Sequence, residues 1–170
     1  REGAHPPPHR ARMGTLGQRP RSTDSAVMLR RLLLLLLLFY AVSYALSGVL
    51  LAAFGLTAHY DGTLPFDHTR FGFGGPSYHL AAWLNLVLSY ALSLLWMVFV
   101  VRDARQAWDY AVSLSIIHWA LSCAVMTSFP VNWVWWVTML GCTLFLWFIG
   151  EILVHLFIVS GQEIAVDHQE

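Results

Sequence analysis

The chain has 170 residues, of which 57% are hydrophobic and 12% are charged, and its mean hydropathy is +0.57. This composition excludes a soluble domain of the same length and predicts a small all-α integral membrane protein, surrounded by the lipid bilayer and without a nucleic-acid partner. The formal net charge is zero, yet all ten basic residues are arginine and seven of them precede Leu32. That asymmetry predicts the orientation of the chain in the membrane.

Residues 1–27 are rich in Arg, Pro, His, Gly and Ser and almost lack large apolar side chains. Such a segment buries too little surface to offset the entropy of ordering, so a disordered tail is predicted. The chain begins with Arg, and Met13 and Met28 are both alternative starts, which leaves open whether the tail belongs to the native protein.

Four apolar runs within residues 28–160 predict a polytopic four-helix transmembrane bundle, since each run reaches the roughly 20 residues that a membrane helix needs. The predicted spans are residues 32–56, 80–101, 109–128 and 131–159, followed by a short acidic tail at 161–170. The first run follows two arginines, which also suits a secretory signal, but its length favours a retained span. Phe129 and Pro130 predict a tight turn between the third and fourth spans.

Small or polar residues recur every four positions on two of the predicted helices. They are Asn85, Ser89 and Ser93 on the second span, and Ala120, Ala124 and Ser128 on the third. Four-residue spacing puts each set on one helix face, and such faces usually contact a neighbouring helix in a membrane protein. A pore lining is the alternative for the second span.

The connection from Thr57 to Tyr78 is rich in glycine and proline and predicts a turn-rich loop. Four of its residues are potential metal ligands: His59, Asp61, Asp67 and His68. Their spacing matches no known ligand pattern, so a solvated loop without a metal or cofactor is predicted.

With four spans, both termini lie on the same side of the membrane. If that side is the cytosol, the cytosolic segments carry nine arginines, including Arg102 and Arg105, against Arg70 alone on the opposite side. The positive-inside rule therefore predicts cytosolic N and C termini. An aromatic belt at the lumenal interface is then predicted for the tryptophans that follow Pro130, namely Trp133, Trp135 and Trp136.

Counting from Pro130 gives depths for the polar residues of the third and fourth spans. At about 1.5 Å per helical residue, His118 lies about 18 Å from the lumenal end, near the middle of the membrane. Asp109 and Glu151 both lie about 30 Å away, at the cytosolic boundary. Glu151 is therefore expected to find its partners at that boundary and not at His118.

Five positions are candidates for partner binding or for structural polar contacts: Arg102, Arg105, Asp109, His118 and Glu151. For Glu151, an ion pair that fixes helix ends and a role in binding a cytosolic partner are equally favoured. For His118, a hydrogen bond to a serine, an asparagine or a backbone carbonyl of another helix is favoured over a proton relay. No catalytic arrangement comes together at one depth, so an enzyme is not predicted.

The third and fourth spans and the first loop carry an ordered set of short motifs. They are Pro65-Phe66-Asp67, Trp108-Asp109-Tyr110-Ala111, His118, Phe129-Pro130, Trp135-Trp136 and Gly150-Glu151. In this combination the chain resembles the Sys-one family of Golgi membrane trafficking proteins, and is most like the branch called transmembrane protein 244. The first span departs from the Golgi members of the family because it lacks their Trp-Asp-Pro opening.

The resemblance implies a non-enzymatic four-span receptor in the Golgi membrane, which recruits an Arf-like small GTPase to its cytosolic face without a cofactor. One alternative is a small transporter or proton-coupled carrier that uses His118. Another is a structural membrane protein without an assigned role.

Overall fold

The computed structural model describes residues 21–69, 71, 76–101 and 106–167, without the side chains of residues 21–24, 59 and 158–167. Its four helices are α1 (Arg21–Ala53), α2 (Ser77–Val100), α3 (Ala107–Met126) and α4 (Trp133–Asp167). Two short 3-10 turns, Thr57–His59 and Leu64–Phe66, lie in the loop between α1 and α2. The described part of the chain contains no strand, so the predicted all-α class is confirmed.

All four helices are long and apolar enough to cross a bilayer, which confirms the predicted four-span architecture. The apolar segments are Ser25–Ala53, Ser77–Val100, Ala107–Met126 and Trp133–Phe157. In hydrocarbon a helix satisfies its backbone N–H and C=O groups within its own segment. Each long apolar run of the sequence is therefore found as one continuous helix.

The first and last helices are longer than their predicted spans. α1 begins at Arg21, inside the segment predicted as a disordered tail, and residues 1–20 of that tail lie outside the described residues. α4 continues past residue 159 to Asp167, where a short tail is predicted. Neither extension contains a proline, and Pro20 stands directly before α1, so no proline interrupts the helix in either segment.

The helices form a bundle in which α1 packs on α2, α2 on α4, α4 on α3, and α3 back on α1. We call the end with the α1–α2 loop and the α3–α4 turn the loop end, and the end with the start of α1 and the last turn of α4 the terminal end. The Leu64–Phe66 turn folds back into the loop end and contacts α1, α2 and α3. It therefore fills space between α1 and α3, the neighbouring helices that contact each other least.

A glycine ends α1 and turns the chain into the loop. Gly55 has a φ of 69°, a conformation that is unfavourable for a residue with a Cβ atom. The N–H of Gly55 donates to the carbonyl of Ala52 at 3.1 Å, and the N–H of Leu56 donates to that of Leu51 at 2.7 Å. These are the two bonds of a Schellman motif, which satisfies carbonyls at the helix end and redirects the chain.

The buried side of α3 differs from the prediction. The series predicted as a close-packing edge, Ala120, Ala124 and Ser128, is exposed. The buried side instead carries Ala107, Tyr110, Ala111, Leu114, Ser115, His118 and Ser122. In a membrane helix both the lipid-facing and the core-facing sides are apolar, so small residue size alone does not identify the side that packs.

Candidate functional site

His118 of α3 occupies the centre of the bundle and is 1% exposed. Its Nδ1 lies 3.1 Å from the hydroxyl oxygen of Tyr40 on α1, which is a hydrogen-bond distance. The bond joins two helices, but the partner is a tyrosine and not the serine, asparagine or carbonyl that the sequence predicts. Tyr40 is 78 residues away in the chain, so local spacing on α3 carries no signal for it.

Aromatic rings surround this pair. The centroid of the His118 ring lies 5.4 Å from that of Phe39, 6.2 Å from that of Phe66 and 6.4 Å from that of Tyr90. Phe66 comes from the α1–α2 loop and stacks on the imidazole with 22° between the ring planes. The imidazole is thus enclosed by side chains from α1, from α2 and from the loop.

A second polar cluster joins α2, α3 and α4 about one helical turn nearer the terminal end. The hydroxyl of Tyr90 donates to Ser115 Oγ at 3.1 Å, and the hydroxyl of Thr143 donates to the same oxygen at 2.7 Å. Ser115 itself donates to the carbonyl of Ala111 at 2.9 Å. One serine therefore connects three helices, although its sequence context does not distinguish it from the other serines of the spans.

The polar face of α2 packs inside the bundle. Asn85, Ser89 and Ser93 are all buried. The side-chain amide of Asn85 donates to Ser43 Oγ on α1 at 3.0 Å, and Ser93 donates to the carbonyl of Ser89 at 2.7 Å. The prediction that this face contacts a neighbouring helix is confirmed by the bond from Asn85.

Several buried polar atoms of the bundle have no hydrogen-bond partner among the described residues. They include Asn85 Oδ1, Ser89 Oγ, His118 Nε2 and Ser122 Oγ. Buried polar groups are normally paired, because an unpaired one costs free energy. A rearrangement of the centre would therefore break few hydrogen bonds at these atoms.

The loop between α1 and α2 is only partly the solvated loop that the sequence predicts, because residues 60–62 are exposed but the segment that follows them enters the core. Leu64, Pro65, Asp67 and His68 are all buried. Asp67 is held by its own turn, because its Oδ1 accepts from the N–H of Thr69 at 2.9 Å and from the hydroxyl of Thr69 at 2.7 Å. Such local bonds let a carboxylate lie inside a folded loop. No group of three or more potential metal ligands lies in the described part of the chain.

The loop is also bonded to the α3–α4 turn. His68 Nε2 lies 3.1 Å from the carbonyl oxygen of Ser128. The side-chain amide of Asn132 donates to the carbonyl of Phe71 at 2.6 Å, while its Oδ1 accepts from the N–H of Val134 at 3.0 Å. Asn132 therefore caps the start of α4 and fastens the loop at the same time.

The three tryptophans after Pro130 divide between two environments. Trp133 and Trp136 are exposed, as the predicted aromatic belt requires, but Trp135 is 1% exposed. The ring of Trp135 meets that of His68 edge-on with centroids 6.1 Å apart, so Trp135 belongs to the core. Trp136 Nε1 donates to the carbonyl of Pro130 at 2.8 Å and closes the turn.

Asp109 and Glu151 lie at similar distances from the loop-end termini of their own helices. At about 1.5 Å per residue, Asp109 lies about 26 Å and Glu151 about 27 Å from the loop-end terminus of its own helix. Asp109 is half-buried in the first turn of α3, where the helix dipole favours a carboxylate, and Glu151 is exposed. Two further candidates predicted from the sequence, Arg102 and Arg105, lie outside the described residues.

The neighbours of Glu151 explain its exposure. Gly150 is buried, and a Cβ atom at that position would lie 2.5 Å from Met97 Sδ on α2. α4 therefore turns the glycine toward α2, and the next residue points away from that contact. His155 is also exposed, and residues four apart share a helix face. His155 is not among the candidates predicted from the sequence, although its spacing of four residues from Glu151 indicates that the two share a helix face.

Comparison with known proteins places this architecture among relatives. A family model, SYS1, described as an integral membrane protein S linking to the trans Golgi network, matches residues 18–156. A relative from Homo sapiens, named Putative transmembrane protein 244, is 32% identical over 127 residues, which are 70% of this chain and 91% of the relative. The Protein SYS1 homolog of Nematostella vectensis is 32% identical over 53 residues, which are 31% of this chain and 33% of that relative. No solved structure matches.

Proposed function

This chain belongs to the SYS1 family of integral membrane proteins, a Golgi trafficking family, and from that premise we propose that it is a non-enzymatic membrane adaptor for an Arf-like small GTPase. The family match and the four candidate spans make it a multi-pass membrane protein of that family. The proposal concerns the finer step, in which the GTPase is recruited to the surface around Asp109 and Glu151.

In the proposed orientation the terminal end faces the cytosol. Seven arginines precede Leu32, and Arg102 and Arg105 stand between α2 and α3, whereas Arg70 stands between α1 and α2. Arginine-rich segments favour the cytosolic side of a membrane. A cytosolic GTPase would then meet the terminal end, and the loop end would face the lumen.

The observation that supports the proposal is the contrast between two sets of polar side chains. His118 is enclosed within the bundle, while Glu151 and His155 are exposed and Asp109 is half-buried near the terminal end. A peripheral protein docks on accessible groups, and charges at the membrane interface stay solvated at modest cost. Two acids at one level would also attract a basic surface on the partner and speed its association.

The test is the capture of small GTPases by the full-length tagged chain in cells. Glu151→Gln and Asp109→Asn remove the charge of each side chain and keep its shape. We expect proximity labelling on the cytosolic side to enrich an Arf-like GTPase with the unchanged chain. In the double variant the labelling should fall by about five-fold, which corresponds to about 1 kcal/mol of binding free energy.

Asp61→Asn is the matched control, because Asp61 is an exposed acid at the loop end. It should leave the labelling unchanged. If the double variant keeps full labelling and Golgi localisation, the GTPase does not use this surface. If the unchanged chain enriches no small GTPase, the adaptor function itself is rejected.

A proton-coupled carrier is the second candidate, and it is favoured by the buried His118, whose Nε2 has no hydrogen-bond partner among the described residues. The enclosure of the ring weakens this candidate. Two apolar grooves of about 330 and 300 Å³ also weaken it, because they are lined by α3 and α4 and by α2 and α4, and neither lining includes His118. Proton flux into proteoliposomes that is lost in His118→Leu would support the carrier. Flux that persists unchanged in that variant would discard the role of His118.

A further inference from the structure

Part of the α1–α2 loop enters the bundle as a strap, which we define as residues 64–69 and Phe71. We propose that this strap is a conformational latch: when seated, it holds the Tyr40–His118 pair in the centre of the bundle, and when released, it opens that centre from the loop end. The latch does not depend on the proposed recruitment of a GTPase.

The inner end of the strap is an aromatic ring packed between two helices. The centroid of Phe66 lies 5.2 Å from that of Tyr40 on α1 and 6.2 Å from that of His118 on α3. Leu64 and Pro65, beside it, are buried. Phe66 therefore contacts both members of the hydrogen-bonded pair. When the strap leaves, Tyr40 and His118 lose these ring contacts and become accessible from the loop end.

The outer end of the strap is fastened by polar contacts to the α3–α4 turn. His68 Nε2 is 3.1 Å from the carbonyl oxygen and 3.4 Å from the hydroxyl of Ser128. The amide of Asn132 donates to the carbonyl of Phe71. The strap belongs to the connection between α1 and α2, and these contacts bind it to the turn between α3 and α4.

The chain that leads into the strap lies on the surface. After the turn at Gly55, the residues Thr57, Ala58, Tyr60, Asp61 and Gly62 are exposed. A strap that hangs on an exposed lead can leave its seat while α1 stays folded. Exposed segments with few buried contacts, such as this lead, are the first to move in folded proteins.

The polar atoms in the centre beneath the strap are compatible with both the seated and the released strap. His118, on which Phe66 stacks, and Ser122, one helical turn nearer the loop end, both lie on the buried side of α3. His118 Nε2 and Ser122 Oγ have no partner among the described residues, so opening sacrifices no hydrogen bond at either atom. Coupling between two parts of a protein is reciprocal. Loosening the outer fastening should therefore expose the centre, and loosening the centre should release the strap.

The experiment measures thiol accessibility in the full chain, reconstituted in nanodiscs with Cys123→Ala and Cys142→Ala. Ser122→Cys reports on the centre beneath the strap, and Ser93→Cys reports on a buried position of α2 nearer the terminal end. Asn132→Asp removes the donor to Phe71 and keeps the acceptor for Val134 N–H. Phe66→Leu keeps an apolar side chain and removes the ring contacts.

We expect either strap variant to raise the alkylation rate at Ser122→Cys by about ten-fold, equivalent to about 1.4 kcal/mol in the opening equilibrium, with no change at Ser93→Cys. As the reciprocal measurement, His118→Leu should increase deuterium uptake in residues 63–69. The latch is overturned if the Ser122→Cys rate does not change. It is also overturned if both thiols gain reactivity equally, since that result describes a general loosening of the bundle.

Discussion

Tyr40 on α1 and His118 on α3 are joined across the middle of the bundle, with 3.1 Å between the tyrosine hydroxyl and the histidine Nδ1. These two helices contact each other less than the other neighbouring pairs do. The hydrogen bond therefore makes a larger share of their association than a bond of the same length would between α1 and α2.

The first prediction concerns this pair. Tyr40→Phe removes the hydroxyl and leaves both nitrogens of His118 without a described partner, so the unfolding free energy should fall. A double-mutant cycle with His118→Leu should give a coupling of about 0.6 to 1.7 kcal/mol, the range from average to maximum for hydrogen bonds between membrane helices. Unfolding in mixed micelles measures it, and additive effects of the two substitutions would show that the bond contributes nothing to stability.

A second prediction follows from the close approach of α2 and α4 at Gly150. The Cβ of Gly150→Ala would lie 2.5 Å from Met97 Sδ and 3.8 Å from Leu94 Cδ2. Met97 is flexible and can shift, so Gly150→Ala should cost about 1 kcal/mol, and the branched Gly150→Val about 2 to 3 kcal/mol.

The control for the Gly150 variants is a shorter side chain at Met97, the residue that a new Cβ would meet. Met97→Ala alone should destabilise the chain, because it leaves a cavity in the core. Combined with Gly150→Val, it should cost less than the sum of the two single effects, since the new side chain occupies the space. Thermal unfolding in detergent measures all three variants, and a combined cost equal to the sum or greater would contradict the close contact between these two positions.

The sequence locates the four spans because hydropathy and chain length decide where a helix can lie in hydrocarbon. It does not locate the strap, because loop composition is dominated by glycine, proline and polar residues. The sequence does contain one local signal, because Leu64-Pro65-Phe66 is the longest run of apolar side chains in this loop. Leu64 and Pro65 are buried, and the Asp67 carboxylate accepts hydrogen bonds from Thr69 two residues later, so this stretch is folded into the core.

Residues that act across helices are harder to predict. Ser115 receives bonds from α2 and α4, and Trp135 packs on His68 of the loop. Nothing in the local pattern separates these side chains from other serines and tryptophans of the spans. Their roles depend on which helices become neighbours, and that order is a property of packing that one sequence does not display.

The small residues of α3 give a third prediction. Ala111 is 0% exposed, whereas Ala120 is exposed on the same helix. Ala111→Leu should destabilise the bundle by about 1 to 3 kcal/mol because it overfills a packed interface. Ala120→Leu should change stability by no more than about 0.5 kcal/mol. Parallel unfolding curves decide the point, and a severe effect of Ala120→Leu alone would restore the close-packing edge that the sequence predicts.

The last prediction separates two histidines of the loop end. His68 is buried, bonded to Ser128 and packed on Trp135, while His79 is only half-buried in the first turn of α2. His68→Ala should lower the unfolding free energy by about 1 to 3 kcal/mol, because it removes the hydrogen bond to the Ser128 carbonyl and the edge-on ring contact with Trp135. His79→Ala is the matched control, with an expected change within about 0.5 kcal/mol. Equal effects of the two substitutions would mean that His68 does not fasten the loop to the turn.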